Sequence, residues 1–253
     1  MYPDFMEKVR SLYKNDLESQ KHYLSVLGEG IRNLPFEVFE KYEAFFVPND
    51  DYLRIMWGES CALPEYDIYS YEGFCYLNNC IIFPCKLLNG QVVGWVSFNP
   101  FIKMKAMETG EYTDSYYSYP TSRVFHKSDG YIFMHSDVYR KSLVDGYIII
   151  TDGVFDTISL TYYGLNACSA LGSSLTLKSA FPLRFIDKVY VSMDNDDAGL
   201  RFLENIRKVC GNVRYLKQGF SGDIDDILKT SHKSRVIDDI LQAVSYGIDL
   251  TYR

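Results

Sequence analysis

From about residue 145 onward the chain alternates short apolar runs with helical stretches, and three of its junctions are loaded with aspartate. Tyr147–Thr151, 165–170, Lys188–Met193 and Asn212–Lys217 read as strands. Helices are predicted near 155–163, at 176–183, at Ala198–Val209, at 224–230 and at 233–246. Short, continuously apolar strands separated by helices predict a largely parallel sheet covered on both faces. Asp152-Gly153 follows the first strand directly, with Asp156 one helical turn later. Asp194-Asn195-Asp196-Asp197 follows the third, and Asp223, Asp225 and Asp226 come shortly after the fourth. All three groups lie past the carboxyl ends of parallel strands, the edge where open α/β sheets hold their ligands. One aspartate at a strand-to-helix junction is a common helix cap. Several converging there repel one another unless cations bind them, and hard oxygen donors suit Mg²⁺ or Mn²⁺.

The preceding half differs. Apolar spacing at Phe5, Val9, Leu12, Leu17, Leu24 and Leu27 predicts a helix over 4–27, ended by Gly28 and Gly30. A second helix is predicted from about Pro35 to Tyr42. Residues 50–135 are rich in β-branched and aromatic side chains, and Asn89-Gly90 between Ile81–Lys86 and Gln91–Phe98 signals a hairpin. The Tyr-rich stretch 107–122 reads as a loop.

The net charge of −7 argues against a simple nucleic-acid binder. Its distribution softens that objection. Residues 1–77 hold 14 acidic and 7 basic side chains and so carry the whole imbalance, whereas 78–253 hold 19 of each. Many of the later acids sit in the clusters, and a carboxylate group that binds cations is the electrostatic opposite of a free acidic face. At 253 residues the chain suits one sizeable domain or two small ones. It shows no signal-like start and no apolar run long enough for a membrane span, so a cytoplasmic protein is expected. Cys75, Cys80 and Cys85 recur every fifth residue with no C-x-x-C pair, which favours packed, reduced thiols over a zinc site.

The motifs, taken in order, resemble the catalytic core of bacterial-type (DnaG-like) DNA primases. Asp152-Gly153-Val154-Phe155-Asp156 at the end of an apolar strand is similar to the first TOPRIM motif. Ala170-Leu171-Gly172-Ser173-Ser174-Leu175-Thr176 resembles the small-residue turn after the next strand, and Asp194-Asn195-Asp196-Asp197-Ala198-Gly199 resembles D-x-D-x-A-G. Gly222-Asp223-Ile224-Asp225-Asp226-Ile227-Leu228 resembles D-P-D-x-L with Ile in place of Pro. Upstream, Ile82-Phe83-Pro84 with Asn89-Gly90-Gln91-Val92-Val93-Gly94-Trp95 is similar to the primase F-P-I…G-x-V-x-G-F segment. Ser122-Arg123-Val124-Phe125-His126-Lys127 is similar to the stretch that precedes the TOPRIM unit. The likeness covers roughly residues 20–230. Two departures stand out. The first TOPRIM acid of the family is Glu, whereas here it is the shorter Asp152. A basic residue after the G-F segment appears as Asn99 or is displaced to Lys103 or Lys105.

The resemblance implies an α/β chain: a mixed α+β N-terminal subdomain over 1–140, then a TOPRIM subdomain over 141–230 with a mainly parallel sheet flanked by helices. A C-terminal helix over 231–253 would pack on this core. It implies RNA primer synthesis on single-stranded DNA from ribonucleoside triphosphates by two-metal nucleotidyl transfer. Asp194 and Asp196 would be the principal ligands of Mg²⁺ or Mn²⁺, with Asp223 and Asp225 as further ligands. Asp152 would act as ligand or proton acceptor, and Asp156 would organise the site from behind. Lys127, Arg123 and Lys86 would contact nucleotide or template phosphate, against the plainer reading of solvated charge. Tyr116, Tyr117 and Tyr119 could stack on unpaired bases, although in a chain of 22 tyrosines packing is the plainer reading. His126 is read as structural.

The family's zinc ribbon and helicase-binding domain are not expected in this chain, so a helicase or a separate zinc-ribbon protein is the implied partner. A small, domain-stripped primase would suit a virus or mobile element such as a bacteriophage. Two rival readings are a haloacid-dehalogenase-type phosphohydrolase and a TOPRIM nuclease or non-catalytic replication protein. The first needs its D-x-D near the start of a domain, and only 57 residues follow Asp196.

Overall fold

The computed structural model describes residues 16–28, 33–49, 51–52, 77–109, 122–125, 131–171, 175–193, 197–218, 224, 228, 233–247 and 250–252. The chain divides into two units, Met1–Cys85 with Val92–Lys127, and Lys86–Gln91 with Ser128–Arg253.

In the first unit, helix α1 (Leu17–Leu27) buries Gln20, Leu24 and Leu27, the one-face spacing of an amphipathic helix. Helix α2 (Phe36–Lys41) buries Phe36, Val38 and Phe39, with Pro35 at its N-cap. Strands β1 (Phe45–Val47), β2 (Cys80–Lys86), β3 (Val92–Phe98) and β4 (Ser122–Phe125) form one sheet in the order β1-β2-β3-β4. Phe46 stands opposite Ile81 and Trp95 opposite Phe125, both in antiparallel register. The turn between β2 and β3 forms where Asn89-Gly90 predicts it. Gly90 takes φ +84°, a left-handed conformation costly for other residues, and Asn89 Oδ1 accepts from the Gln91 amide at 3.0 Å.

Helix α3 (Pro100–Thr109) was not expected from composition, and it carries the chain three residues into the stretch read as a loop. Its cause is local. Asn99 Oδ1 accepts from the amides of Phe101 at 3.1 Å and Ile102 at 3.2 Å, an N-cap followed by Pro at the first helical position. Asn99 is therefore engaged as a helix cap.

Gln20 supplies the other unexpected contact of this unit. Its side chain donates to the Phe46 carbonyl at 2.8 Å and accepts from the Phe46 amide at 2.6 Å while 1% exposed. Gln20→Ala leaves a buried backbone donor and acceptor unpaired, so it should cost about 2–3 kcal/mol. The shift of the urea midpoint measures this, and a loss under about 0.5 kcal/mol would contradict it.

The second unit contains α4 (Ser136–Asp145), β5 (Tyr147–Thr151), α5 (Val154–Tyr162), β6 (Ala167–Ser169), α6 (Leu177–Ala180), a 3₁₀ turn at Pro182–Phe185, β7 (Lys188–Val191), α7 (Asp197–Val209), β8 (Val213–Gln218), α8 (Lys233–Tyr246) and β9 (Leu250–Tyr252). The strands lie in the order β6-β5-β7-β8-β9, and each neighbouring pair is parallel. This is the α/β class the alternating pattern predicts. The pleat sends alternate residues to opposite faces. Ile148, Ile150, Val189 and Val191 pack with Val138 of α4 and with Phe202, Leu203 and Ile206 of α7. Ile149 and Tyr190 pack on the other face with Leu160 of α5 and with Val236, Ile240 and Ala243 of α8. Two polar side chains of β7 close the carboxyl end of α8. Tyr190 Oη donates to the Ala243 carbonyl and Lys188 Nζ to the Val244 carbonyl, both at 3.0 Å.

Cys80, Cys85, Cys168 and Cys210 are buried free thiols. Burial pushes the Cys168 thiol well up, so it stays protonated and packs as a small apolar group. Among the described residues, no helix is long and apolar enough to cross a membrane.

Candidate active site

All five residues of β5 are buried, which suits a strand covered on both faces. β6 lies on one side of β5 and β7 on the other, so the order of connection reverses at β5. Helix α5 leaves β5 over one face, while α7, reached from β7, packs on the opposite face. Where adjacent strands send their helices to opposite faces, a crevice opens outside their carboxyl ends. Asp152 and Gly153 sit at that crevice, between the last residue of β5 and the first of α5.

Asp152 is partly exposed, and among the described residues no lysine, arginine or histidine pairs with it. A hard oxygen donor at this edge fits a divalent cation. Asp156 stands in the first turn of α5 and is 8% exposed. A Cβ at Gly153 would lie 3.2 Å from Asp156 Oδ2, a tight contact that the Asp156 side chain would have to ease. The pair Gly153–Asp156 thus lets a second carboxylate lie close over the loop that carries Asp152.

The parallel register pairs Ile150 with Val191, and the Ser192 amide donates to the Ile150 carbonyl at 2.8 Å. Two residues past Val191 the described chain stops at buried Met193, and the next three residues are Asp194-Asn195-Asp196. Those acids lie outside the described residues, as do Asp223, Asp225 and Lys127. Ile224, between Asp223 and Asp225 in the chain, is 1% exposed and packs with Leu228 in the core under β5 and β7. Lys86 ends β2 and is partly buried. Arg123 belongs to β4, paired opposite Ser97. Among the described residues no three His, Cys, Asp or Glu side chains gather as a metal site.

Hydroxyl groups beneath the Asp152 loop escaped the sequence reading. Thr151 Oγ1 lies 2.8 Å from Thr157 Oγ1 and 3.1 Å from the Gly153 carbonyl, which also receives the Thr157 hydroxyl at 3.1 Å. Ser169 Oγ donates to the Asp152 carbonyl at 2.8 Å. The available signal was the hydroxyl beside each acid, Thr151-Asp152 and Asp156-Thr157.

Comparisons with known proteins agree with this geometry. A Toprim-like family model matches residues 149–228, from the middle of β5 to Leu228. A DNA primase of Clostridium acetobutylicum is 26% identical over 216 residues, covering 82% of this chain and 34% of that protein. A DNA primase of Aquifex aeolicus is 30% identical over 247 residues, covering 91% of this chain and 47% of that protein. The chain therefore spans between a third and a half of the length of these curated relatives. The DnaG primase catalytic domain bound to single-stranded DNA has a similar fold, with a TM-score of 0.67 at 16% identity, over 94% of this chain and 79% of that one. Motif order, relatives and backbone agree: the chain resembles the DnaG-type DNA primase core, with a Toprim-like domain at 149–228 and the fold of that catalytic core.

Proposed function

We propose that this chain is a DNA-dependent RNA primase, a nucleotidyltransferase that makes short RNA primers on single-stranded DNA with Mg²⁺ or Mn²⁺. The observation that carries the reading is the placement of Asp152, partly exposed at the carboxyl edge of β5 where the sheet's connectivity reverses. Support also comes from two relatives named DNA primases and from the similar fold of a DnaG domain that binds single-stranded DNA.

In the reaction a primer 3′-oxygen attacks the α-phosphorus of an incoming ribonucleoside triphosphate, a new P–O bond forms and pyrophosphate leaves. Bound divalent cations would neutralise charge on the attacking and leaving oxygens. Asp194 and Asp196 would hold them, with Asp223, Asp225 and Asp152 completing the set. If not a ligand, Asp152 would take the proton of the attacking hydroxyl. Asp156, buried behind Gly153, would hold the loop rather than touch substrate. Lys127, Arg123 and Lys86 would bind phosphates of nucleotide or template. The proposed subdomains are 1–140, 141–230 and a closing segment 231–253, expected as helix throughout, whose helix ends at Tyr246 and is followed by strand β9. A helicase or a separate zinc-ribbon protein is the proposed partner in replication, in the cytoplasm.

The test is direct. Purified chain, single-stranded DNA of mixed sequence and labelled ribonucleotides are incubated with Mg²⁺ or Mn²⁺, and short RNA products that EDTA abolishes are the expected result. No product in either metal, even on a pre-annealed primer, would sink the reading. Loss of DNA without nucleotides would point to a nuclease instead.

A further inference from the structure

We propose that Ser169 is a positioning residue that sets the place of Asp152, by bridging the Asp152 carbonyl to the Leu171 amide through one hydroxyl. The proposal rests on the reading of Asp152 as a metal ligand.

Ser169 is the last residue of β6, wholly buried, and in register opposite Thr151. Each of its hydrogen-bonding groups is engaged. Its amide donates to the Phe133 carbonyl at 2.9 Å, and its carbonyl accepts from the Phe133 amide at 2.8 Å. Its hydroxyl has one proton, which goes to the Asp152 carbonyl at 2.8 Å. An oxygen lone pair then accepts from the Leu171 amide at 2.9 Å. The backbone bonds to Phe133 pin the residue, so the hydroxyl is a fixed point and not a rotor searching for partners.

Both partners of that hydroxyl need such a point. Asp152 lies one residue past its strand and is only partly buried, and its carbonyl is held by the Ser169 hydroxyl. Leu171 takes φ +52°, a conformation that costs a branched residue without support. It opens the small-residue turn resembling the primase motif. One hydroxyl thus ties the loop carrying the first acid to the turn after the next strand. A metal ligand must be held to within a fraction of an ångström, and groups that orient ligands are typically worth 10–100-fold in metal affinity. Only a hydroxyl supplies this pair of bonds: alanine provides neither donor nor acceptor, and a thiol is too weak a donor and too long.

The experiment measures Mn²⁺ binding to the full chain by calorimetry, together with hydrogen exchange at the Leu171 amide, which does not depend on turnover. Ser169→Ala should raise the Mn²⁺ Kd by about 10–100-fold and speed Leu171 exchange at least about tenfold. Ser169→Thr, which keeps the hydroxyl, should stay within about threefold of wild type in both. If Ser169→Ala no longer melts cooperatively, Ser169→Cys replaces it with the same expectation. Faster exchange with unchanged affinity overturns the positioning role, and so does an equal loss of affinity in the alanine and threonine variants. A wild-type chain that binds no Mn²⁺ sinks the metal-site reading itself. That result is distinct from a wild type that binds Mn²⁺ and is indifferent to residue 169.

Discussion

Alanine at both Asp194 and Asp196 should lower primer synthesis at least about a thousandfold, because the phosphoryl charge would lose its principal metal ligands. β7, the strand beside β5, ends at Val191, and Asp194 and Asp196 come three and five residues later in the chain. Each carboxylate contributes a full negative charge and hard oxygens, and water offers no substitute that is held in place. The fold should be indifferent to the change. Without divalent cations, removing crowded like charges leaves the melting temperature unchanged or raises it. Primer yield across metal concentrations, beside a melting curve of each protein, checks both halves. A double variant retaining more than about a tenth of wild-type yield at saturating metal would place the metal ligands elsewhere.

Phe202→Ala should cost about 3–5 kcal/mol, a large stability effect for a single substitution in the second unit. Phe202 of α7 is wholly buried against β5 and β7, where Ile148, Ile150, Val189 and Val191 point. Truncating it removes most of an aromatic ring and leaves a cavity that a β-sheet of rigid strands closes poorly. Domains are stable by about 5–15 kcal/mol in all, so the loss is a large fraction. A urea titration should show a lower midpoint at nearly unchanged slope. A shift worth under about 1 kcal/mol would mean that α7 does not rest on the sheet through this residue. Because α7 begins one residue after Asp196, the same variant should also weaken Mn²⁺ binding.

What could be read in the sequence tracks where the physics is local. Ile148-Ile149-Ile150 is apolar on both faces, so β5 was legible to the residue, and the regular apolar spacing of 233–246 marked α8 equally well. Helix α4 was not legible because it buries only Val138 and Ser142; its marks are the cap from the Asp137 amide to His135 Nδ1 and the left-handed Gly146 at its end. Strand β1 has three residues and β9 three, too short for alternation to show, and each is a strand only because a neighbour pairs with it.

The site divides in the same way. Aspartates at strand ends show in a linear sequence, since strand and loop are neighbours in the chain. The Ser169 bridge does not, because 17 residues separate it from Asp152 and only the pairing of β5 with β6 brings them together.

The bond between Gln20 and Phe46 has a consequence that reaches beyond the single molecule. Among the described strands β1 is the outermost of its sheet, and an outermost strand presents free amides and carbonyls on which another chain can build. At Phe46 that template is already filled by a side-chain amide imitating one residue of a neighbouring strand. A second copy cannot add itself there without first evicting Gln20. The residue that fastens α1 to the sheet thereby also acts as a guard against self-association, and loss of its amide would open the sheet to intermolecular pairing at high concentration.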